Sequence, residues 1–396
     1  MVLAINGGKP TRNEFIPYGK QYIDKDDIKA VNDVLESPYL TTGPRVEEFE
    51  NQLCELTGAK YAIAISNGTS ALHAACHVAG ITEGDEVITT PITFAASANC
   101  ILYCGGTPVF ADIDGDTWNI DPLRIEEKIN HKTKAVIAVD FTGQAVQIKE
   151  IKKICKKYNL IFIEDAAHSI GTKYNRIPIG AHADMTAFSF HPVKTITCGE
   201  GGAILTNNED YYNKILLFRS HGITRDKKLL THTPFNGYNE QIEVGYNFRM
   251  TDFQAALGTS QLRKLNQFSN RRKDIVNKYN EAFSKIPEIT IQKEIKESDT
   301  TRHLYIIRLK SNKLRVDRNE IYKALNAENI GLQVHYIPVY FHPYYQELGY
   351  KKGLCPNAEA LYEEIITIPL YYSMRNEDVE SVIEAVKKVI SYYKND

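Results

Sequence analysis

The chain has 396 residues, of which 43% are hydrophobic and 24% charged, with a formal net charge of −2. That balance supports a large core and two domains, and it excludes a whole-molecule field that would draw nucleic acid or an anionic membrane. The seven cysteines (54, 76, 100, 104, 155, 198 and 355) are odd in number, scattered and free of any Cys-x-x-Cys pair. This pattern implies buried reduced thiols in a cytoplasmic protein and gives no metal-ligand spacing. Met1–Pro10 has no apolar signal region, and no long uncharged apolar run follows it. The expectation is a soluble chain that is not exported.

From about Tyr61 to Thr206 short apolar runs alternate with amphipathic stretches. The expected strands are Tyr61–Ile65, Glu86–Thr89, Pro108–Ala111, Ala135–Val139, Leu160–Ile163, Thr186–Phe190 and Ala203–Thr206. The expected helices between them are Ser70–Ala79, Ala95–Cys104, Pro122–Ile129 and Ile148–Tyr158. Runs rich in Ile, Val and Phe, bounded by helices, predict an α/β three-layer domain around a mostly parallel sheet. After about Thr251 the pattern changes. Phe253–Leu265, Arg271–Phe283, Arg318–Glu328 and Asp378–Tyr392 read as helices, and His303–Arg308 and Leu332–Tyr336 as strands. This predicts a large domain over 15–255, a smaller α+β domain over 256–396 and an N-terminal arm over 1–14. No Pro-, Gly- or Ser-rich linker marks the boundary.

Ligands of such sheets gather outside the carboxyl ends of the strands, so the polar residues there carry the interest. Ser66-Asn67-Gly68-Thr69-Ser70 ends the first strand and opens a helix. Its free N–H groups and hydroxyls suit a phosphate, or form a plain helix cap. Phe94 follows the next strand and either stacks on a flat ligand or joins the core. Glu164-Asp165-Ala166-Ala167-His168 puts carboxylates at the end of an apolar run, where they need a partner. Metal binding, a helix cap and a cationic ligand all meet that need. Ser189 and Lys194 flank a turn that runs into Gly199-Glu200-Gly201-Gly202. A lysine desolvated there becomes a nucleophilic amine able to form a Schiff base; the alternative is a snorkelling side chain. Gly245–Asp252 is a polar and aromatic patch ahead of a helix.

Taken together, these residues offer a phosphate cradle, a stacking aromatic, a buried carboxylate and an amine on one side of one sheet. Pyridoxal 5'-phosphate needs that set. Its aldehyde takes Lys194, its protonated ring nitrogen takes Asp165, its phosphate takes the helix start and its face takes Phe94.

With these motifs the chain resembles the DegT/DnrJ/EryC1/StrS sugar aminotransferases, which are fold-type I pyridoxal-phosphate enzymes. The likeness runs from about Pro17 to the last helix. It is carried by Asn67–Leu72, Glu164–His168, Ser189–Lys194 with Gly199–Gly202, and Gly245–Arg249. The resemblance implies that Lys194 bears the cofactor and Asp165 pairs with its ring nitrogen, with Phe94 over the ring and His168 near the ring hydroxyl. Thr69, Ser70 and Ser189 would hold the phosphate. Asn247 would reach it from a neighbouring subunit, which implies a homodimer with shared active sites. Relatives that dehydrate carry histidine in place of the lysine, and Lys194 argues against that branch.

Ile16–Gly19, Leu40–Gly43, Arg219–Ile223, His303–Tyr305 and Val334–Val339 are further similar to one subgroup. Its members transaminate the C4 ketone of a UDP-linked 4-keto-6-deoxy-N-acetylhexosamine with L-glutamate, in pseudaminic acid biosynthesis. A different nucleotide-linked keto sugar (dTDP, GDP or UDP) is the alternative. The substrate candidates are Thr42, Arg225 (with Lys227 and Lys228), Arg249, His335 and Tyr336. For the Arg225 loop a solvated charge run is the competing reading, and for His335 and Tyr336 ordinary strand packing.

Overall fold

The structure is a computed structural model that describes residues 2–232, 235 and 237–395. Two helices, α1 (Lys25–Leu35) and α2 (Pro44–Thr57), precede the sheet. The α1 helix starts at a capping box in which Asp24 and Asp27 exchange side chain-to-backbone hydrogen bonds. Pro44 sits in the first turn of α2, and Gly58 closes that helix in the left-handed region (φ 77°).

The central sheet holds seven strands: β1 (Tyr61–Ile65), β2 (Glu86–Thr89), β3 (Thr107–Phe110), β4 (Thr133–Val139), β5 (Ile161–Asp165), β6 (Met185–Ser189) and β7 (Gly202–Thr206). Their order is β1-β7-β6-β5-β4-β2-β3. Only β7 runs antiparallel to its neighbours. Every sheet strand except β7 therefore points its carboxyl end to the same edge. Between strands lie α3 (Gly68–Val78), α4 (Ala96–Tyr103), α5 (Pro122–Lys128) and α6 (Ile148–Tyr158). The last of these buries Ile148, Ile151, Ile154 and Cys155 along one face, leaves its lysines outside and stops at Asn159 (φ 54°). The apolar residues fill two layers, one on each side of the sheet. The architecture is the expected α/β three-layer fold.

Beyond β7 come α7 (Glu209–Arg219), α8 (Asp252–Leu262) and α9 (Leu265–Phe283). An antiparallel sheet follows, ordered β8 (Ile289–Ile291), β9 (Tyr305–Leu309) and β10 (Ile365–Ile368), with α10 (Arg318–Ala327) and α11 (Asn376–Tyr393). This sheet, α10, α11 and the second half of α9 share a separate apolar cluster. We propose two domains, 15–255 and 256–396, with an arm over 1–14. The separate cluster supports the division, although α8 runs across the proposed boundary and a further cluster joins Phe110 and Trp118 to Tyr340 and Leu361. The arm is held by Glu328, whose carboxylate accepts from the N–H groups of Ala4 and Thr11 and from the Thr11 hydroxyl, and pairs with Lys388. Leu3 lies fully buried in the second cluster. Met1 and Asp396 lie outside the described residues.

Two expectations need correction. Leu332–Tyr336 is not a strand. Only Gln333 pairs, with Thr367, and the Val334 N–H is taken by the Gln333 side chain instead of a neighbouring strand. The strand expected from His303 begins at Tyr305, because the N–H groups of His303 and Leu304 both reach Thr142 O, at 2.8 and 3.3 Å. Among the described residues no helix is long and apolar enough to cross a membrane. All seven cysteines are unpaired, and five are buried.

Candidate active site

The site forms where β1, β5 and β6 end. Asn67 caps α3, and its side-chain oxygen accepts from the Ser70 N–H at 2.8 Å. The Ser70 hydroxyl, buried, lies 3.2 Å from that of Ser66. Gly68 and Thr69 head the first turn, where backbone N–H groups have no partner within the helix. Ser189 stands opposite. A methyl group on Gly68 would come 2.8 Å from Ser189 Cβ, and one on Gly202 would strike the Asn67 backbone at 2.5 Å. Glycine at both positions lets β1, β6 and β7 converge on a narrow polar turn of the size a phosphate needs.

Asp165 ends β5 and is 4% exposed. Its Oδ1 accepts from the Ala167 N–H at 3.1 Å and its Oδ2 from the Ser97 hydroxyl at 2.6 Å. Burial pushes this carboxyl above the ordinary range; the Ser97 and Ala167 bonds and the field of Lys194 pull it back. Lys194 is half-buried as a residue, and its amine end is the part the surrounding side chains enclose. Burial lowers the amine to about 8, with the Asp165 charge limiting the fall. Such an amine is half neutral near pH 8, so a free-base fraction is at hand for a nucleophile and proton acceptor.

His168 follows on the same turn. Its Nε2 lies 3.2 Å from the Tyr336 hydroxyl, and its Nδ1 is buried without a partner. Burial first, and then the charge of Lys194, holds its imidazole well below the usual histidine range, so the ring is neutral. His303 packs against it with ring centroids 4.6 Å apart. This approach depends on Gly143 (φ 101°), where a methyl group would lie 2.3 Å from Thr301 O and 2.8 Å from His168 O. His335 bonds Thr367 through Nδ1 at 2.9 Å, and burial lowers its imidazole to about 3. Tyr18 comes in from the N-terminal segment with its ring 5.6 Å from His335.

Phe94 is 63% exposed, so it does not belong to the core; its nearest aromatic neighbour is Tyr336, at 6.4 Å. Thus the charges of Lys194 and Asp165 act on each other, Lys194 acts on His168 and His335, and Tyr336 bonds His168, with exposed Phe94 beside Tyr336; Thr69, Ser70 and Ser189 gather where β1 and β6 end. The competing reading of His335 and Tyr336 as strand packing gives way: Tyr336 bonds His168, and His335 bonds Thr367. Arg249 is half-buried and pairs through its backbone with Ile65, while Phe248 O accepts from the Ser66 N–H at 2.7 Å. The Gly245–Arg249 segment therefore backs the phosphate turn of its own chain. Thr42, Arg225 and Asn247 are exposed, and the single chain does not bring them to Lys194. The sequence gives no site role to Ser97, Thr93, His303 or Tyr18, although Ile16–Gly19 and His303–Tyr305 carry the subgroup resemblance. Ser97 carried a usable signal: it is one helical turn after Phe94, at the start of α4, where a hydroxyl faces the strand ends.

The pocket fits pyridoxal phosphate. It offers an enclosed amine, a carboxylate with acceptor capacity left over, a buried ring nitrogen without a partner and a glycine-lined anion turn.

The model of the DegT/DnrJ/EryC1/StrS aminotransferase family matches residues 21–387. The chain is 41% identical over 381 residues to the spore coat polysaccharide biosynthesis protein SpsC of Bacillus subtilis, covering 96% of this chain and 98% of that one. It is 37% identical over 379 residues to the UDP-4-amino-4,6-dideoxy-N-acetyl-beta-L-altrosamine transaminase of Helicobacter pylori, covering 95% and 98%. Among solved structures, Helicobacter pylori PseC, described as an aminotransferase involved in the biosynthesis of pseudoaminic acid, superimposes with a TM-score of 0.89 at 35% identity, over 96% and 100% of the chains. Spr1654 from Streptococcus pneumoniae, in its PLP-form, superimposes with a TM-score of 0.88 at 31% identity, over 96% and 99%.

Proposed function

As the chain belongs to the DegT/DnrJ/EryC1/StrS aminotransferase family, we propose that it transfers the amino group of L-glutamate to the C4 ketone of a UDP-linked 4-keto-6-deoxy-N-acetylhexosamine. The product is UDP-4-amino-4,6-dideoxy-N-acetyl-β-L-altrosamine, a step of pseudaminic acid biosynthesis, with 2-oxoglutarate released. The observation that carries this reading is the enclosed Lys194 amine, lowered to about 8, in the field of the Asp165 carboxylate. The names of the Helicobacter relatives support the choice of sugar.

Pyridoxal phosphate, when bound, supplies an electron-withdrawing ring that stabilises charge at the amino acid's Cα. Lys194 Nζ would hold the cofactor at rest, accept the proton from the donor's Cα and deliver one on the return. Asp165 would keep a proton at the ring nitrogen. His168, neutral, would hydrogen-bond the ring hydroxyl, and Phe94 would cover one face. Gly68, Thr69, Ser70 and Ser189 would hold the phosphate. His335 and Tyr336 line the sugar pocket, and Arg225, Arg249 and Thr42 are the candidates for the nucleotide end. The reading takes the enzyme as a cytoplasmic homodimer in which Asn247, exposed in the single chain, completes the partner's phosphate site.

The test is incubation with glutamate and a panel of UDP-, dTDP- and GDP-linked 4-keto sugars, with mass and NMR analysis of the product. The expected outcome is amination at C4 of the UDP sugar, absent in Lys194→Ala. Amination of a different nucleotide sugar alone would move the assignment to the second reading, an aminotransferase for another keto sugar. The reason to keep that alternative is the 41% identity to SpsC, named for spore coat polysaccharide biosynthesis.

A further inference from the structure

We propose that Ser97, backed by Thr93, is a positioning residue of the active site: its hydroxyl occupies Asp165 Oδ2 and fixes the orientation of the carboxylate that meets the cofactor's ring nitrogen. This rests on the reading that Asp165 serves pyridoxal phosphate.

Three hydroxyl and carboxyl groups stand in line. Thr93 Oγ1 is 2.7 Å from Ser97 Oγ, which is 2.6 Å from Asp165 Oδ2, and all three residues are buried. A serine hydroxyl has a single hydrogen, and an ionised carboxylate only accepts. With Asp165 ionised, the Ser97 hydrogen must go to Oδ2, and Thr93 must donate to Ser97. With Asp165 neutral, its own proton could go to Ser97, whose hydrogen then goes to Thr93 Oγ1 at 2.7 Å, with Phe94 O at 3.4 Å as a second outlet. In both arrangements the Ser97 hydroxyl occupies Oδ2. Once a cationic ring holds the carboxylate ionised, the line of donors ends on the anion, where charge-assisted bonds are shortest and strongest.

The placement also ties two cofactor contacts together. Ser97 stands in the first turn of α4, directly after the Phe94 segment, so the helix that presents the stacking ring also grips the carboxylate beneath it. Ala167 N–H holds Oδ1. Two oxygens, each with one donor from the protein, leave acceptor positions for a ring N–H. The other charged and titratable groups that act on Asp165 or feel its charge are Lys194, Asp140, Cys100 and Tyr336. Apart from Ser97, the structure records no side-chain hydrogen bond to this carboxylate among the described residues.

The experiment strips the cofactor from the wild type, S97A, S97T and T93V, and titrates pyridoxal phosphate back by absorbance with neither glutamate nor sugar present. S97A is expected to bind roughly tenfold or more weakly, the scale of a lost hydrogen bond to a charged group. S97T, which restores the hydroxyl, recovers most of that loss, and T93V shows a smaller loss in the same direction. The absorbance of bound cofactor should also titrate at a shifted pH in S97A, and kcat should fall while the KM for the sugar stays put. S97A with wild-type affinity and an unshifted pH profile would overturn the proposal. If S97A does not fold, T93V decides alone, and wild-type affinity in that variant overturns it. Failure of the wild type itself to bind pyridoxal phosphate would instead sink the functional reading above.

Discussion

Two buried aspartates in this molecule are satisfied very differently. Asp27, fully buried between α1 and α8, accepts from Ser260 at 2.6 Å, Gln261 at 2.8 Å and the Asp24 N–H at 3.0 Å, and pairs with Lys264 at 2.8 Å. Asp165, at the sheet edge, has two donors, and the cation that bears on it, Lys194, forms no ion pair with it. The α1–α8 seam spends its carboxylate on the fold, saturating its acceptor positions. The pocket leaves its carboxylate under-coordinated, and burial raises it above the ordinary range. A buried charge with vacant capacity marks where a ligand belongs, and a saturated one marks a structural fastening.

Exchanging each aspartate for asparagine should separate the two roles. Asp165→Asn should lower kcat by about 10³-fold, within the range of a lost acid–base partner, with a thermal midpoint no lower than that of the wild type. A rate within a few-fold of wild type would remove its electronic role. Asp27→Asn should do the converse. It leaves Lys264 facing an amide and should cost about 3 kcal/mol in urea unfolding, with kcat per folded molecule unchanged. If activity fell instead with stability intact, the seam would be part of the catalytic apparatus.

The smallest effect belongs to Glu164, next to Asp165 on the same strand but alternating to the opposite face of the sheet. It is fully buried, and its Oε2 accepts from Thr186 at 3.1 Å while Oε1 has no partner. Burial first, and then the charge of Asp140, pushes its carboxyl well above the ordinary range. The folded chain therefore keeps a proton that the unfolded chain releases near pH 4.5. Stability from this group is present below that pH and lost as pH rises toward and through neutral. Glu164→Gln cannot lose that proton. Its unfolding free energy should decline less between pH 5 and 8, by about 1 kcal/mol or more. Asp140, raised to about 7 mainly by burial, adds slope in the same direction. Parallel pH curves for variant and wild type would show Glu164 to be ionised in the fold.

What could be read beforehand follows the same physics. Tyr61–Ile65, Glu86–Thr89 and Ile148–Tyr158 have the limits expected of them, because buried runs and one-faced helices write their periods into the sequence. The strand-end rule then carried the eye to Asp165, Ser189 and Lys194. The helices α1, α2 and α7 went unread: they bury few side chains, and their starts are held by caps at Asp24 and Asn208 and, for α2, by the distant Asp252 carboxylate on the Gly43 and Arg45 N–H groups. Leu332–Tyr336 had the alternation of a strand, but His335 and Tyr336 are turned to Thr367 and His168 by side-chain bonds that no local pattern encodes. Ser97 escaped notice because its partner is 68 positions away. Thr42, Arg225 and Asn247 remain at the surface of the lone chain, where a second copy would have to bring them into play.

The grip of Glu328 on the first residues has a practical side. A shortened version starting after Thr11 would strip away three of its four contacts, leaving an acidic group sealed in the interior with Lys388 as its sole companion. It would also unplug Leu3 from the apolar packing of the second cluster. Trimming that stretch to tidy an expression clone would therefore weaken the far end of the molecule, some 320 positions along the chain, well before it touched the catalytic pocket.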